Sequence, residues 1–291
     1  MPGPGLRLTF VSALNRSGYE WFRPQKGAAR PAQGGRTDTP VSHYPGIVRG
    51  YRSIAALDRD LVGCRACPRL VAWREQVGRE KRRAFADQEY WARPVPGFGP
   101  SDAAVVIIGL APAAHGGNRT GRMFTGDQSG DVLFAALHAA GLANQATSVS
   151  ADDGLLLYGT RVTAPVHCAP PQNKPTPQER DECAHWLHSE LELLAPTMRS
   201  VVALGAFGWR QTLHTFGTLG WSVPRPRPAF GHGAHTVLTR GDRSIGVFGC
   251  YHVSQHNTFT GRLTPTMVVD VLSAAARYAD LGYAVRSEDS E

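Results

Sequence analysis

The sequence predicts an α/β fold: a three-layer α/β/α sandwich around a central four-stranded parallel sheet. Three observations carry that reading. Beyond residue 100, short apolar runs alternate with helix-like stretches. The runs end in glycine or proline signals, and the longer stretches carry helix caps. Strands that alternate with crossover helices pair in parallel and need helices on both faces.

The elements follow in order. Residues 105–109 are wholly apolar and lead into Leu110, Ala111 and Pro112, as a buried parallel strand running into a loop does. A helix is expected over 131–140, closed by Gly141, because glycine adopts the left-handed conformation that ends helices. Residues 155–163 read as the second strand, stopped at Ala164-Pro165. Thr176, Pro177 and Glu179 supply a cap, a first-turn proline and an acid at the third position, so a helix runs from there to about residue 194. Residues 200–205 read as the third strand, with a helix near 207–215 behind it. Residues 222–235, with Pro224, Pro226 and Pro228, read as a long loop, and 245–251 as the fourth strand. Thr264 and Pro265 open a last helix that ends near residue 281. In such sheets ligands bind beyond the carboxyl ends of the strands. The loops after Gly109, Thr163 and Tyr251 are therefore the places to look for chemistry.

Composition bounds the rest. The chain has 291 residues, 42% of them hydrophobic and 19% charged, enough to bury a sizeable core and inconsistent with wholesale disorder. No apolar run approaches the roughly 20 residues of a membrane span, and residues 8–14 make a poor signal peptide, so an intracellular, cytoplasmic protein is expected. Net charge is +7. Residues 1–50 hold seven basic residues against Glu20 and Asp38, which leaves +2 for the remainder. Residues 1–46 are rich in Gly, Pro and Arg and read as a basic, disordered arm before a folded domain over 47–291. A nucleic-acid patch is permitted by this balance but not required by it.

Cys64-Arg65-Ala66-Cys67 is a C-x-x-C, and Cys168 and Cys183 flank a loop and a helix start. Two pairs make four ligands, enough for zinc or a [4Fe–4S] cluster. A redox pair or unrelated buried thiols are the other readings of that spacing. Cys250, on an apolar strand, reads as a core thiol.

Two polar loops remain. The loop 109–127 follows a strand and precedes a helix, and its glycines allow close backbone approach. It matches neither G-x-G-x-x-G nor the Walker pattern. The second loop, His252-Val253-Ser254-Gln255-His256-Asn257, directly follows the fourth strand.

With the four cysteines, these loops resemble the B-type iron–sulfur uracil-DNA glycosylases, the fifth family of that superfamily. The matching residues are the 109–127 loop, the segment Cys168-Ala169-Pro170-Pro171-Gln172-Asn173-Lys174-Pro175, and residues 252–257 running on to Thr260-Gly261-Arg262-Leu263-Thr264. The resemblance spans about residues 55–280.

It implies a monofunctional base-excision-repair glycosylase that cuts the bond between deoxyribose and uracil in DNA and leaves an abasic site. A monomer associated with the nucleoid is expected. One structural [4Fe–4S] cluster would be held by Cys64, Cys67, Cys168 and Cys183. Phe124 would stack on the flipped base, in a pocket with Gly109, Ala111 and Ser254; core packing is its other reading. His252 would donate to the base carbonyl, where negative charge grows, unless it is a satisfied buried histidine. Asp127 would orient the attacking water, and it also stands where a helix cap is needed. Asn173 would touch base or water, or serve the turn before Lys174-Pro175. Uracil-specific relatives carry Asn at the end of the second strand. Ala164 stands there in this chain, which implies a broader range that takes in deaminated purines or ethenocytosine. His256, Asn257, Arg262 and Leu263 are candidates for a wedge entering the minor groove. Arg119 and Arg122 would hold phosphates or make surface salt bridges. The rival readings are a non-catalytic iron–sulfur or zinc DNA-binding protein, a redox protein, and a small-nucleotide enzyme.

Overall fold

A computed structural model describes residues 50–281; the basic arm expected over 1–46 lies outside them. Five strands form one sheet: β1 (Val105–Ile108), β2 (Thr160–Thr163), β3 (Ser200–Leu204), β4 (His235–Arg240) and β5 (Arg243–Cys250), in the order β2-β1-β3-β5-β4. The pairs β1–β2, β1–β3 and β3–β5 are parallel. Every residue of β1, β2 and β3 is buried, as a sheet covered on both faces demands.

The expected four parallel strands are present, and a fifth is added. Strand β4 pairs antiparallel with β5 through a two-residue turn, in which Gly241 takes φ 63. Its inward residues Thr236 and Leu238 alternate with more exposed neighbours, the pattern of an edge strand with one face on the core. The proline-rich loop therefore ends where β4 begins. Strand β2 is shorter than expected: residues before Thr160 form an irregular hairpin, with Leu157 bridged to Ala143.

Helices α1 (Ile54–Leu61), α2 (Pro68–Glu80), α3 (Gly117–Thr120), α4 (Gln128–Ala139), α5 (Pro177–Leu194), α6 (Gly205–Thr218), α7 (Gln255–Phe259) and α8 (Pro265–Tyr278) are the α-helices of the described residues. Helices α4 and α8 bury Leu133, Phe134, Leu137, Val268 and Leu272 on one face of the sheet. Helices α1, α5 and α6 bury Ile54, Leu57, Leu187, Leu191, Trp209 and Leu213 on the other. The capping box read at Thr176 forms: its hydroxyl accepts from the Glu179 N–H at 3.2 Å, and Glu179 accepts from the Thr176 N–H at 2.8 Å. Thr264 caps α8 through the Met267 N–H at 3.3 Å.

A buried ionic network ties α1 and α5 to the sheet. Arg161 of β2, 1% exposed, donates to Glu190 of α5 at 2.5 Å, to the Gly99 carbonyl at 2.7 Å and to Asp58 of α1 at 3.2 Å. Thr163 donates to the second Glu190 oxygen at 2.6 Å. Because all four central strands run the same way, Gly109, Ala164, Gly205 and Tyr251 leave the sheet at one edge.

Candidate active site

The loop after β1 is shaped by close approaches that only glycine permits. A Cβ at Gly109 would stand 2.8 Å from the Phe124 ring, and one at Gly116 would collide with Oδ2 of Asp127. Phe124 itself sits at φ 52, a left-handed conformation costly for a bulky side chain and held only where the surroundings impose it. Its ring lies across Gly109, with its centroid 6.3 Å from that of His252.

Asp127 is the N-cap of α4: its Oδ1 accepts from the Gly130 N–H at 3.0 Å. Burial raises its carboxyl above the ordinary range, while the backbone N–H groups of Gly130 and Ser129 pull it back. With Gly116, Asn173, Gln172 and Gln255 it lines a cavity of about 580 Å³ beyond the carboxyl edge of the sheet. Gln172 and Asn173 both sit at φ 56, two consecutive left-handed residues of the kind that cluster at ligand sites.

His252 leaves β5 beside Phe124, close to Gly205, where a Cβ would stand 3.1 Å from its own. Burial pushes its imidazole down to about 4, so it is neutral at physiological pH and can donate one N–H. Its carbonyl accepts from the Asn257 amide at 2.8 Å. Ala164, 1% exposed, presents only a methyl group after β2. Ala111 packs against the α5–α6 side of the core. Ser254 caps α7 without a side-chain hydrogen bond.

The cysteines make a second centre. Cys64, Cys67, Cys168 and Cys183 all line one narrow cavity, with Arg74, His167 and Trp186 in its wall. Among the described residues no three His, Cys, Asp or Glu side chains converge to the spacing of a single-ion site. Burial pushes the Cys67 thiol up to about 12, and its neighbours Cys168 and Cys64 add to the rise. Cys250 lies apart, fully buried in β5.

A family model described as the uracil DNA glycosylase superfamily matches residues 96–276. A type-5 uracil-DNA glycosylase of Mycobacterium bovis is 54% identical over 235 residues, 81% of this chain and 85% of the relative. Type-5 uracil-DNA glycosylases of Thermus thermophilus and Pyrobaculum aerophilum are 51% and 47% identical. Those alignments take in 78% and 76% of this chain, and 98% and 91% of the relatives. The chain belongs to the type-5 uracil-DNA glycosylases.

In this type-5 family member three expected DNA contacts are placed elsewhere. Arg119, 8% exposed, donates to the His115 carbonyl, Gln88 and the Gly126 carbonyl at 2.6–2.9 Å and lies 3.9 Å over the Phe85 ring. Arg122, 3% exposed, donates to Thr125, Ser148 and Asp153. Both guanidinium groups brace the loop from inside instead of facing phosphates. A long irregular loop must satisfy its own carbonyls and hydroxyls. Leu263, 1% exposed, is core. It precedes the cap Thr264 and joins Val268 in the α4–α8 cluster, the hydrophobic staple of a helix start.

Several cavity residues were not anticipated from sequence. Trp73, Arg82, Phe85 and His115 also line it, and the His115 ring is 3.1 Å from the Tyr90 hydroxyl. Phe259, at the end of α7, is 75% exposed. A lone aromatic in the polar run 255–261 was the available signal. His256 and Arg262 are exposed on the same segment, and Arg262 lies 4.6 Å over the Tyr251 ring.

Proposed function

We propose that this chain hydrolyses the N-glycosidic bond of uracil, and of other deaminated or damaged bases, in DNA, leaving an abasic site for base-excision repair. The observation that carries it is the arrangement at the carboxyl edge. Asp127 and Asn173 face one cavity, and Phe124, strained over Gly109, stands next to neutral His252. A flipped base needs a flat partner and polar groups at its edge, for which Phe124, Asn173 and His252 serve. Cleavage places positive charge on the sugar and negative charge on the departing base. Asp127 stabilises the first and orients the water that attacks C1′, whose proton it can take. The His252 N–H stabilises the second. Ala164 offers no hydrogen bond to discriminate base edges, which supports a range broader than uracil. Exposed His256, Arg262 and Phe259, with Asn257 fixed to the His252 carbonyl, form the duplex-facing segment. Phe259 takes the wedge role in place of Leu263.

The cysteine cage fits one [4Fe–4S] cluster. Its donors are four sulfurs around a shared cavity, and a buried guanidinium balances one of them. Cys64, Cys67, Cys168 and Cys183 would hold it. When bound it supplies a covalent tie between the α1–α2 segment, the loop after β2 and α5; base release needs no electron. Action as a monomer on nucleoid DNA completes the reading, and among the described residues no helix is long and apolar enough to cross a membrane.

The test is to incubate purified protein with duplexes holding uracil, hypoxanthine or ethenocytosine and then cleave abasic sites with alkali. Strand cleavage with uracil and at least one other base is expected. Cleavage with uracil alone overturns the broad range. No cleavage by folded protein overturns the catalytic reading in favour of a non-catalytic iron–sulfur DNA-binding protein.

A further inference from the structure

Arg74 is a buried cation without a carboxylate. It lies on α2, two turns beyond Cys67, and is 2% exposed. Among the described residues no carboxylate stands within ion-pair distance of it. An arginine stays charged in a protein, and an isolated charge in such a place is costly unless something balances it. Its guanidinium instead points into the cysteine cage. Nη1 donates to Cys168 Sγ at 2.9 Å and Nη2 to the Cys64 carbonyl at 3.0 Å. One side chain thus spans two of the four cage cysteines, which lie over a hundred residues apart in sequence.

We propose that Arg74 is the counter-ion of the cluster and sets how readily the cluster is oxidised. The inference rests on the cluster reading above. Four thiolates outweigh the positive iron–sulfur core, so the loaded cage is an anion, and it becomes less negative when it gives up an electron. A fixed cation at hydrogen-bond distance stabilises the more negative, electron-richer state more strongly. Arg74 therefore raises the reduction potential of the resting cluster and slows its loss of an electron to a one-electron oxidant such as ferricyanide, which becomes ferrocyanide. The main chain of Arg74 reaches the other centre: its carbonyl accepts from the Asn118 amide at 3.2 Å, within the loop that carries Phe124 and Asp127. Damage to the cage would thus be felt by the catalytic loop through α2.

The experiment uses full-length protein purified without air. Iron and acid-labile sulfide are measured first, then the cluster's visible absorbance is followed during ferricyanide titration and its midpoint potential is measured by voltammetry. Arg74→Leu and Arg74→Gln are expected to shift the potential negative and to bleach about tenfold faster, the scale of one charge-assisted hydrogen bond. Arg74→Lys keeps the charge and should stay close to wild type. If Arg74→Leu does not fold, the Gln and Lys variants, both polar and differing in charge, carry the comparison. Equal potentials and bleaching rates in all variants overturn the proposal, as does a Lys variant that behaves like Gln. Wild-type protein without iron and sulfide fails at the earlier step and overturns the cluster reading itself, with the Arg74 proposal.

Discussion

Asp127 caps α4, the proposed function gives it a second task at the cavity, and substitution can separate the two. Oδ1 accepts from the Gly130 N–H at 3.0 Å and caps the 12-residue helix α4. Oδ2 overlies Gly116, at the cavity wall. Asp127→Asn keeps a cap acceptor and removes the charge. Asp127→Ala removes both. As caps, Asn and Asp are nearly equivalent, while Ala costs about 1 kcal/mol. In either variant, losing the charge removes an interaction with the helix N-terminus worth about 0.3–1 kcal/mol but also relieves the burial cost that outweighs it. Chemically the order differs, because a positioned carboxylate contributes about 10²–10⁴-fold. Both variants should therefore release base at least about 100-fold more slowly, although only Ala is clearly less stable. Urea unfolding gives the stability order, and single-turnover release from a uracil duplex gives the rates. Wild-type rates in Asp127→Asn would refute the catalytic role and leave Asp127 a cap. A rate loss confined to Asp127→Ala would assign the effect to a displaced helix.

Further outcomes follow from other positions. Ala164→Asn adds amide groups at a 1% exposed site; the ratio of uracil to hypoxanthine release should rise about tenfold or more, and an unchanged ratio removes this position from base selection. Phe259 is 75% exposed, so Phe259→Ala should leave the unfolding midpoint alone and slow release from duplex but not from single-stranded DNA; equal slowing on both would contradict a wedge. Burial lowers the His252 imidazole to about 4, whereas the unfolded chain binds that proton near 6.5. Its contribution to stability is therefore fully present above pH 6.5 and is lost as pH falls toward 4, by up to about 3 kcal/mol. His252→Gln should show a shallower fall in unfolding free energy over that window, and parallel curves would refute the assignment.

What the sequence disclosed, and what it hid, has a physical pattern. Strand β1, residues 201–204 of β3 and residues 245–250 of β5 were legible because both faces are buried there, which makes those stretches continuously apolar. Strand β4 was hidden because only one of its faces is buried, so His235-Thr236-Val237-Leu238-Thr239-Arg240 resembles a loop. Its signal was the two-residue Gly241-Asp242 step between two pairing segments. Caps at Thr176 and Thr264 were legible because they are local. Burial of Arg119 and Arg122 was not, because their partners Gln88, Ser148 and Asp153 lie up to 31 residues away. Leu263, expected among the wedge candidates, is core instead, and its place before Thr264 marks it as a staple.

The two displaced arginines bear on the proposed catalysis. Apart from the single turn of α3, the glycine-rich loop of 19 residues has no helix or strand to fix it, yet Phe124 keeps a costly left-handed backbone and Asp127 holds an oxygen at the cavity wall. Groups that stabilise a transition state are effective when they are in place before it forms. Arg119 closes the loop by joining the His115 and Gly126 carbonyls, one on each side of its own turn. Arg122 binds the segment around Thr125 to Ser148 and Asp153 of the neighbouring hairpin. Between them they clamp the stretch that carries Phe124. Cation at these two positions rigidifies the scaffold from inside, and under the proposed function contact with the polyanion falls to exposed groups such as His256 and Arg262.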